Sequence, residues 1–251
     1  MNFRIATGLA LIVIREYRPT DNGFGKSGVQ SQGDIVRKEH TAPNNLTAAV
    51  AGEGVISSWC GEFRLEACSA GELALPSGTI FCGDPTLPFD NVPVKHAFPC
   101  GQFPVSVTKA HSSSEYSPYV ACITVRFSKE TPQAWRATRP WGFHAANDLG
   151  CMMDADTRRV GDERSKADPG PYPYFARPMY DLCVAGSIPP RWKNVVLDPT
   201  SDLNMIIFWA DKGDAGCGNC EFYCGYNDDQ VVCFTVETGL ILTEDEIKLR
   251  S

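Results

Sequence analysis

Aspartates at the ends of apolar segments are the side chains best suited to chemistry in this 251-residue sequence. Carboxylate oxygens bind hard cations and act as general bases, and strand ends are where a β fold can present them. One histidine lies in an aromatic setting, directly after Phe143, where it could serve as an acid or base. The candidate catalytic residues are therefore Asp84, Asp154, Asp211, Asp214 and His144. Converging on a metal or a substrate, they would form a hydrolase-like site.

The same aspartates also fit a structural role. Asp84 precedes Pro85, and Asp211 and Asp214 bracket Gly213. Aspartate in such turns commonly accepts hydrogen bonds from backbone amides two residues later. The sequence contains no serine in a nucleophile elbow, no phosphate-binding glycine motif and no local Cys-His signature. Residue types therefore leave both an enzymatic and a non-enzymatic function open.

A cysteine cluster near the C-terminus offers a different chemistry. It comprises Cys217, Cys220, Cys224 and Cys233, and the C-x-x-C turn at its start can place two thiolates on one zinc ion. The later thiols do not form the second close pair that structural zinc sites usually have, and Cys233 lies in an apolar run. A zinc-clipped module, a redox dithiol and unpaired buried thiols are the three interpretations.

The chain has 11 cysteines, an odd number, so complete internal pairing is impossible. Most of them, including Cys82, Cys122, Cys183 and Cys233, lie in or beside apolar runs, where a free thiol behaves as a small buried hydrophobe. This usage is typical of a reduced, cytoplasmic protein rather than a secreted one.

Charge and aromatic content bear on the partner. A net charge of -7 repels a phosphate backbone, which disfavours nucleic acid. The apolar stretch at residues 9–14 is too short to span a bilayer and lacks a cleavage site, so no membrane association is expected. Aromatic residues suited to binding a partner are Trp141, Trp209, Tyr223 and Tyr226, although the same residues could fill a core.

Alternating apolar residues predict the elements that position these groups. Residues 103–107, 121–127, 135–137, 194–197, 203–210 and 230–236 favour strands. Residues 73–75 and 79–82, on either side of the turn Pro76-Ser77-Gly78, predict a hairpin. A short helix is expected at residues 45–50, and Thr243 with Glu246 forms a capping box for a C-terminal helical turn. The fold class is therefore mainly β (α+β at most), an antiparallel sandwich or open barrel with few short helices.

Composition divides the chain into two parts. Residues 1–71 are predicted to form an N-terminal arm with an irregular extension, and residues 72–251 a β-rich domain. Within that domain, residues 158–190 are rich in proline, which removes backbone donors, so they predict an excursion from the sheet.

Several short segments together resemble one protein family. They are residues 75–80 (LPSGTI), 84–85 (DP), 101–105 (GQFPV), 150–154 (GCMMD), 209–211 (WAD) and 223–226 (YCGY). In this order and spacing they are similar to the mostly bacterial DUF4241 family, a domain of unknown function, over about residues 72–242. The resemblance implies a cytosolic, β-rich protein and brings no catalytic residues. The absence of catalytic motifs and the negative charge favour a non-enzymatic protein-binding module of the immunity or regulatory kind, which covers a partner with an acidic, aromatic-bearing face.

Overall fold

Antiparallel strands dominate a computed structural model that describes residues 41–87, 92–113, 117–145, 148–170, 174–178, 191–198, 200–210 and 219–250. The larger sheet has the spatial order Val55–Ser58 (β1), Gly61–Leu75 (β2), Gly101–His111 (β5), Tyr119–Arg126 (β6), Gln230–Glu237 (β12), Asn219–Asn227 (β11) and Ala134–His144 (β7). The smaller sheet has the order Val92–Pro93 (β4), Ile80–Gly83 (β3), Leu149–Asp154 (β8), Leu203–Trp209 (β10) and Trp192–Asp198 (β9). The helices of these ranges are Leu46–Ala51 (α1), Ala155–Ala167 (α2) and Glu244–Arg250 (α3). The predicted mainly β, antiparallel fold is confirmed.

The two sheets pack against each other through one apolar core. Side chains from both sheets form it, among them Leu73, Val107, Ile123, Met152, Ile206, Phe208, Phe222 and Phe234. The outer face of the larger sheet carries a second cluster under α1, and the outer face of the smaller sheet carries a third one near α2. Because central strands are covered on both faces, β6 and β10 are buried along almost their whole length.

A β-bulge lets strand β2 serve two of these clusters. Three residue steps from Ser69 to Glu72 face only two steps on β5, so β2 carries one extra residue there. Gly71, inside the bulge, has φ +84°, a conformation that favours glycine. One extra residue moves all later side chains to the other face. Phe63 and Leu65 accordingly pack in the outer cluster, whereas Leu73 packs between the sheets.

Buried amides join the two sheets next to this bulge. The side chain of Asn204, on β10, accepts a hydrogen bond from the backbone N–H of Ala74 at 2.9 Å and donates to the carbonyl of Glu72 at 2.6 Å. It also donates to Asn194 Oδ1 at 2.8 Å. Asn194 in turn donates to the carbonyls of Ala70 and Glu72 at 3.1 and 2.9 Å. Polar backbone groups of β2 within and directly after the bulge are thereby satisfied.

Two predicted helices are confirmed, each with an identifiable cap. Helix α1 ends at Gly52, and its last carbonyls accept hydrogen bonds from Thr108 Oγ1 at 2.7 Å and Arg126 Nη2 at 2.9 Å. At the start of α3, Glu246 accepts from the N–H of Thr243 at 2.7 Å, and Thr243 Oγ1 accepts from the N–H of Glu246 at 3.3 Å. This reciprocal pair is the capping box that the sequence predicts.

The hairpin predicted around residues 76–78 is wrong. Strand β2 ends at Leu75 and β3 begins at Ile80, but β2 pairs with β1 and β5, whereas β3 pairs with β4 and β8. The turn itself exists, with Gly78 at φ +68°. A Cβ at Gly78 would lie 2.4 Å from the carbonyl oxygen of Phe98, so the site also needs the small residue. The turn therefore passes the chain from one sheet to the other.

Ordered structure crosses two of the predicted sequence boundaries. Strand β2 runs through position 72, so the larger sheet begins before the predicted start of the β-rich domain. Residues 158–167, at the start of the Pro-rich segment, belong to α2, which lies outside both sheets. Among the described residues, no helix has the length and apolar character needed to cross a bilayer.

Candidate functional site

Two of the predicted catalytic aspartates lie far apart on neighbouring strands. Asp154 is directly opposite Ile80 in the β3–β8 pair, and Asp84 follows Ile80 by four residues. At about 3.3 Å per residue, this places the Cα atoms of the two residues roughly 13 Å apart along the strands. Since a hard cation needs its oxygen ligands at about 2.5 Å, one ion cannot bind both.

Both aspartates are fully buried, and each accepts a hydrogen bond from a backbone amide. Asp84 Oδ1 accepts from the N–H of Thr86 at 2.8 Å and from its hydroxyl at 2.6 Å. Asp154 is the N-cap of α2: its Oδ1 accepts from the N–H of Asp156 at 2.8 Å, and its Oδ2 accepts from the hydroxyl of Ser77 at 2.7 Å. In each case a carboxylate stabilises a turn or a helix start. Asp211 and Asp214 lie outside the described residues.

The three described members of the cysteine cluster are buried thiols on β11 and β12. Cys220 and Cys224 are four residues apart on one strand, about 13 Å. Cys224 lies opposite Phe234 and Cys233 opposite Gly225, so Cys224 and Cys233 leave opposite faces of the sheet. Burial raises the pKa of Cys224 to about 12 and that of Cys233 to about 11, which disfavours the thiolate that zinc requires.

Cys217 lies outside the described residues. Within the part of the chain that the structure describes, no three His, Cys, Asp or Glu side chains are grouped so that they could hold a metal ion. The described members of the cluster are thus placed as core residues in separate positions of the sheet.

The remaining predicted residues are dispersed over the fold. His144 is exposed at the end of β7, with its Nδ1 2.9 Å from Asn219 Oδ1. Tyr223 is fully buried, and its hydroxyl donates to Glu221. Trp209 is partly buried against the third apolar cluster. Trp141 lies in β7, which bulges away from β11 at that point.

Tyr226 is different, because it belongs to a group of rings at one end of the larger sheet. The group, called the aromatic cluster below, consists of His96, Phe98, Phe103, Phe127 and Tyr226. Successive ring centroids are 6.4 Å apart for Tyr226 and His96, 4.8 Å for His96 and Phe98, 5.3 Å for Phe98 and Phe127, and 5.1 Å for Phe127 and Phe103. Phe98 is buried and the other four rings are partly exposed.

Antiparallel topology brings these rings together. Phe103 lies at the start of β5, Phe127 directly follows β6 and Tyr226 lies near the end of β11. Because neighbouring strands are antiparallel, these three positions lie at the same end of the larger sheet. The segment between β4 and β5 supplies His96 and Phe98, and it is held by a 2.9 Å hydrogen bond from the N–H of Phe98 to the carbonyl of Gly78. The cluster continues into the core, because Phe98 also packs on Phe234 with centroids 5.3 Å apart.

A cation completes the surface of the aromatic cluster. The guanidinium carbon of Arg136, on β7, lies 4.4 Å from the centroid of the Tyr226 ring. Arg136 Nη2 lies 3.7 Å from Asp229 Oδ1, with Arg136 59% and Asp229 100% exposed. Burial lowers the pKa of His96 and raises the pKa of Tyr226, so both are neutral at pH 7. The rings form a neutral aromatic surface, and the Arg136 guanidinium adds a positive charge at its edge.

Of the aromatic cluster, Tyr226 is a candidate binding residue predicted from the sequence, and the other four rings are not. The alternating patterns include Phe103 and Phe127, but alternation predicts only that these residues are buried positions of strands. No local sequence pattern marks His96, Phe98 and Arg136 as neighbours, because their proximity depends on which strands end at the same end of the sheet.

A comparison with protein-family models matches residues 73–236 to the family described as protein of unknown function (DUF4241). The chain belongs to the DUF4241 family. Residues 73–236 run from the end of β2 to the penultimate residue of β12, and they include all five rings and Arg136. Helix α1, strand β1 and the first part of β2 precede the matched region of this DUF4241 protein. No curated protein and no solved structure matches the chain significantly.

Proposed function

We propose that this DUF4241 protein is a non-enzymatic, protein-binding module of the immunity or regulatory kind. Its partner would contact the aromatic cluster and Arg136. The observation that carries the proposal is a continuous series of five ring contacts, in which four rings are partly exposed and the buried ring of Phe98 joins them to the core.

Such an arrangement has the properties of a binding hot spot. Aromatic residues and arginine dominate the energetics of protein interfaces, because they bury a large area while losing little conformational entropy. Contacts between the rings already restrict their rotamers, so a partner would order them at little further cost. Exposed charged residues, Lys95, Lys129 and Asp228, lie within two residues of three of the rings in the chain, as in the polar rim of an interface.

Arg136 would contribute a positive charge that selects an acidic group of the partner. The Tyr226 ring holds the guanidinium in place, and the contact with the fully exposed Asp229 contributes little, because exposed ion pairs at this distance are weak. The guanidinium is thus oriented and available for a carboxylate of a partner.

A protein is a better-supported partner than nucleic acid or a membrane. The net charge of -7 opposes binding to phosphate backbones and anionic headgroups. Free thiols packed in apolar strands, such as Cys122 and Cys151, are typical of proteins from reducing compartments, which supports a cytoplasmic location.

Quantitative affinity capture with matched charge reversals tests the proposal. Arg136→Glu reverses a side chain that is 59% exposed at the aromatic cluster, and the control Arg159→Glu reverses one that is 61% exposed on α2. We expect proteins captured by the native chain and by the control to be lost from Arg136→Glu and from Tyr226→Ala. Equal capture by all four proteins would contradict a partner site at this end of the sheet.

A further inference from the structure

The rings of the aromatic cluster form a row that crosses the strands of the larger sheet. Phe103 and Phe127 hold facing positions, because Val105, two residues after Phe103, is paired with Val125, two residues before Phe127. Tyr226 lies on β11, two strands beyond β6 in the order of the sheet. Since neighbouring strands are about 4.8 Å apart, the row from Phe103 to Tyr226 extends over roughly 14 Å.

This row lies on the face of the larger sheet that packs against the smaller sheet. Phe103, Phe127 and Tyr226 all contact the core between the sheets. A segment that follows the row therefore crosses the strands, whose N–H and C=O groups point sideways to their neighbours in the sheet. Such a segment cannot extend the ladder, so side chains rather than backbone pairing must make the contact.

A proline-rich segment in the polyproline II conformation suits such a surface. It has no internal hydrogen bonds and keeps its backbone solvated, so it does not need a strand as partner. Two pairs of rings are nearly perpendicular, His96 with Tyr226 at 87° and Phe103 with Phe127 at 82°. Each pair presents the face of one ring beside the edge of the other, and a proline ring can stack on that face.

Two polar groups of the row match the backbone of such a segment. Burial keeps His96 and Tyr226 neutral at pH 7, because it lowers the pKa of the imidazole and raises the pKa of the phenol. A neutral imidazole has one N–H, and the phenol has an O–H. Both groups can donate hydrogen bonds to carbonyls of a bound segment.

Arg136 determines which charge one end of the segment should carry. It is directly opposite Cys224 on β11, and its guanidinium carbon lies 4.4 Å from the centroid of the Tyr226 ring. Strand β7 is one strand beyond β11, so the distance from Phe103 to Arg136 across the sheet is roughly 19 Å. At about 3.1 Å per residue, a polyproline II segment of about six residues spans it.

We propose that the aromatic cluster binds a proline-rich segment of about six residues in the polyproline II conformation, with a carboxylate of that segment against Arg136. This inference rests on the proposed protein-binding function and names the chemistry of the partner. Proline rings stack on Phe103, Phe127 and Tyr226, and an aspartate or glutamate at the end of the segment pairs with the guanidinium.

Isothermal titration of synthetic peptides into the full chain measures this binding. The probe is a hexaproline peptide with blocked termini that ends in aspartate, and a second peptide carries the aspartate at its start to cover the opposite chain direction. Matched peptides replace the aspartate with asparagine or lysine, or replace alternate prolines with alanine. The variants are Phe103→Ala, Arg136→Glu and, as the control on α2, Arg159→Glu. Thermal unfolding of each variant shows whether it is folded at the assay temperature.

We expect saturable binding of the aspartate peptide in one of the two directions. Asparagine should weaken binding roughly fivefold, as for the loss of an exposed ion pair. Alanine should weaken it about tenfold, because the segment loses ring contacts and its preformed conformation. Arg136→Glu should bind the lysine peptide more tightly than the aspartate peptide, whereas Arg159→Glu should behave as the native chain does.

Three results would overturn the inference. They are equal binding of the proline and alanine peptides, binding that Arg136→Glu and folded Phe103→Ala leave unchanged, and no binding of the aspartate peptide in either direction. If Phe103→Ala is unfolded, the exchange of charge preference at the exposed Arg136 decides.

Affinity capture separates these results from failure of the proposed function. Proteins that are still lost from Arg136→Glu would show a partner site of another chemistry, such as one for a helix or for a second copy of the chain. Equal capture by the native chain and Arg136→Glu, without peptide binding, would contradict both proposals.

Discussion

Replacing Asn204 with alanine tests whether buried amides hold the two sheets together. Asn204 is 6% exposed, and its side chain makes three hydrogen bonds, to the N–H of Ala74, to the carbonyl of Glu72 and to Asn194. Alanine keeps the backbone of β10 and deletes all three bonds. The contacts with the larger sheet then depend on Asn194 and on apolar packing.

The three bonds do not contribute equally. The Glu72 carbonyl keeps a donor in Asn194 at 2.9 Å, so its loss is partial. The N–H of Ala74, a residue only 7% exposed, loses its acceptor. A buried donor without an acceptor costs about 1–3 kcal/mol, and a lost net hydrogen bond about 1 kcal/mol. We expect the free energy of unfolding to fall by roughly 2.5 kcal/mol in total.

Urea unfolding followed by tryptophan fluorescence measures this change. With an m-value of about 3 kcal/mol/M, roughly 2.5 kcal/mol corresponds to a decrease of about 0.8 M in the midpoint. Asn219→Ala is the matched control, because Asn219 is exposed and contacts only the exposed His144 among the hydrogen bonds described above. It should stay within about 0.5 kcal/mol of the native protein. If Asn204→Ala changes stability no more than the control does, the amide network does not join the sheets.

Three further predictions concern α2, the pairing of Glu66 with Lys109 and His111, and the core thiols. Gly161→Ala gains about 1 kcal/mol of helix propensity, but a Cβ there would lie 2.1 Å from the buried Phe175 ring, so we expect a lower thermal midpoint. Hydrogen bonds from Lys109 and His111 lower the pKa of Glu66 from 4.5 to about 2, so its contribution to stability is present above pH 4.5 and is lost as the pH falls toward 2. Glu66→Gln should therefore flatten the pH dependence of urea midpoints in that window. Cys224 and Cys233, whose burial raises their pKa to about 12 and 11, should resist a thiol reagent at pH 8 in the native state and react after unfolding.

Each of these expectations has a contrary outcome. A higher thermal midpoint for Gly161→Ala would mean that Phe175 moves aside at little cost. An acid unfolding profile of Glu66→Gln that parallels the native one would show that the ion pairs of Glu66 also persist in the unfolded chain. Labelling of Cys224 in the native protein at the rate of Cys60 would mean that β11 opens locally.

Several features could be predicted from the sequence because they depend on neighbours within a few residues. Alternation at residues 103–107 and 230–236 reveals strands, since successive side chains of a strand point to opposite faces. The spacing of Thr243 and Glu246 is sufficient for the capping box of α3. Short segments in a fixed order were sufficient for the DUF4241 family.

Partial signals were misread where a local pattern has more than one long-range outcome. The turn at Gly78 has the composition of a hairpin, yet its flanking strands join different sheets. Cys220 and Cys224, which the sequence offers as candidate zinc ligands, are buried positions of β11. The sequence reveals a turn or a thiol, but the strands that pair beside the turn and the residues that contact the thiol are distant in the chain.

The sequence alone determined the mainly β class, the two short helices and the family, because hydrophobic period, turn chemistry and caps act over a few residues. Only the tertiary structure decided that His96, Phe103 and Tyr226 meet at one end of the larger sheet, and that Glu66 and Lys109 lie side by side. Residues such as these are distant in the chain, and their contacts follow from strand order and register. Order and register are set by burying both faces of the sheets at once, which is a property of the whole chain.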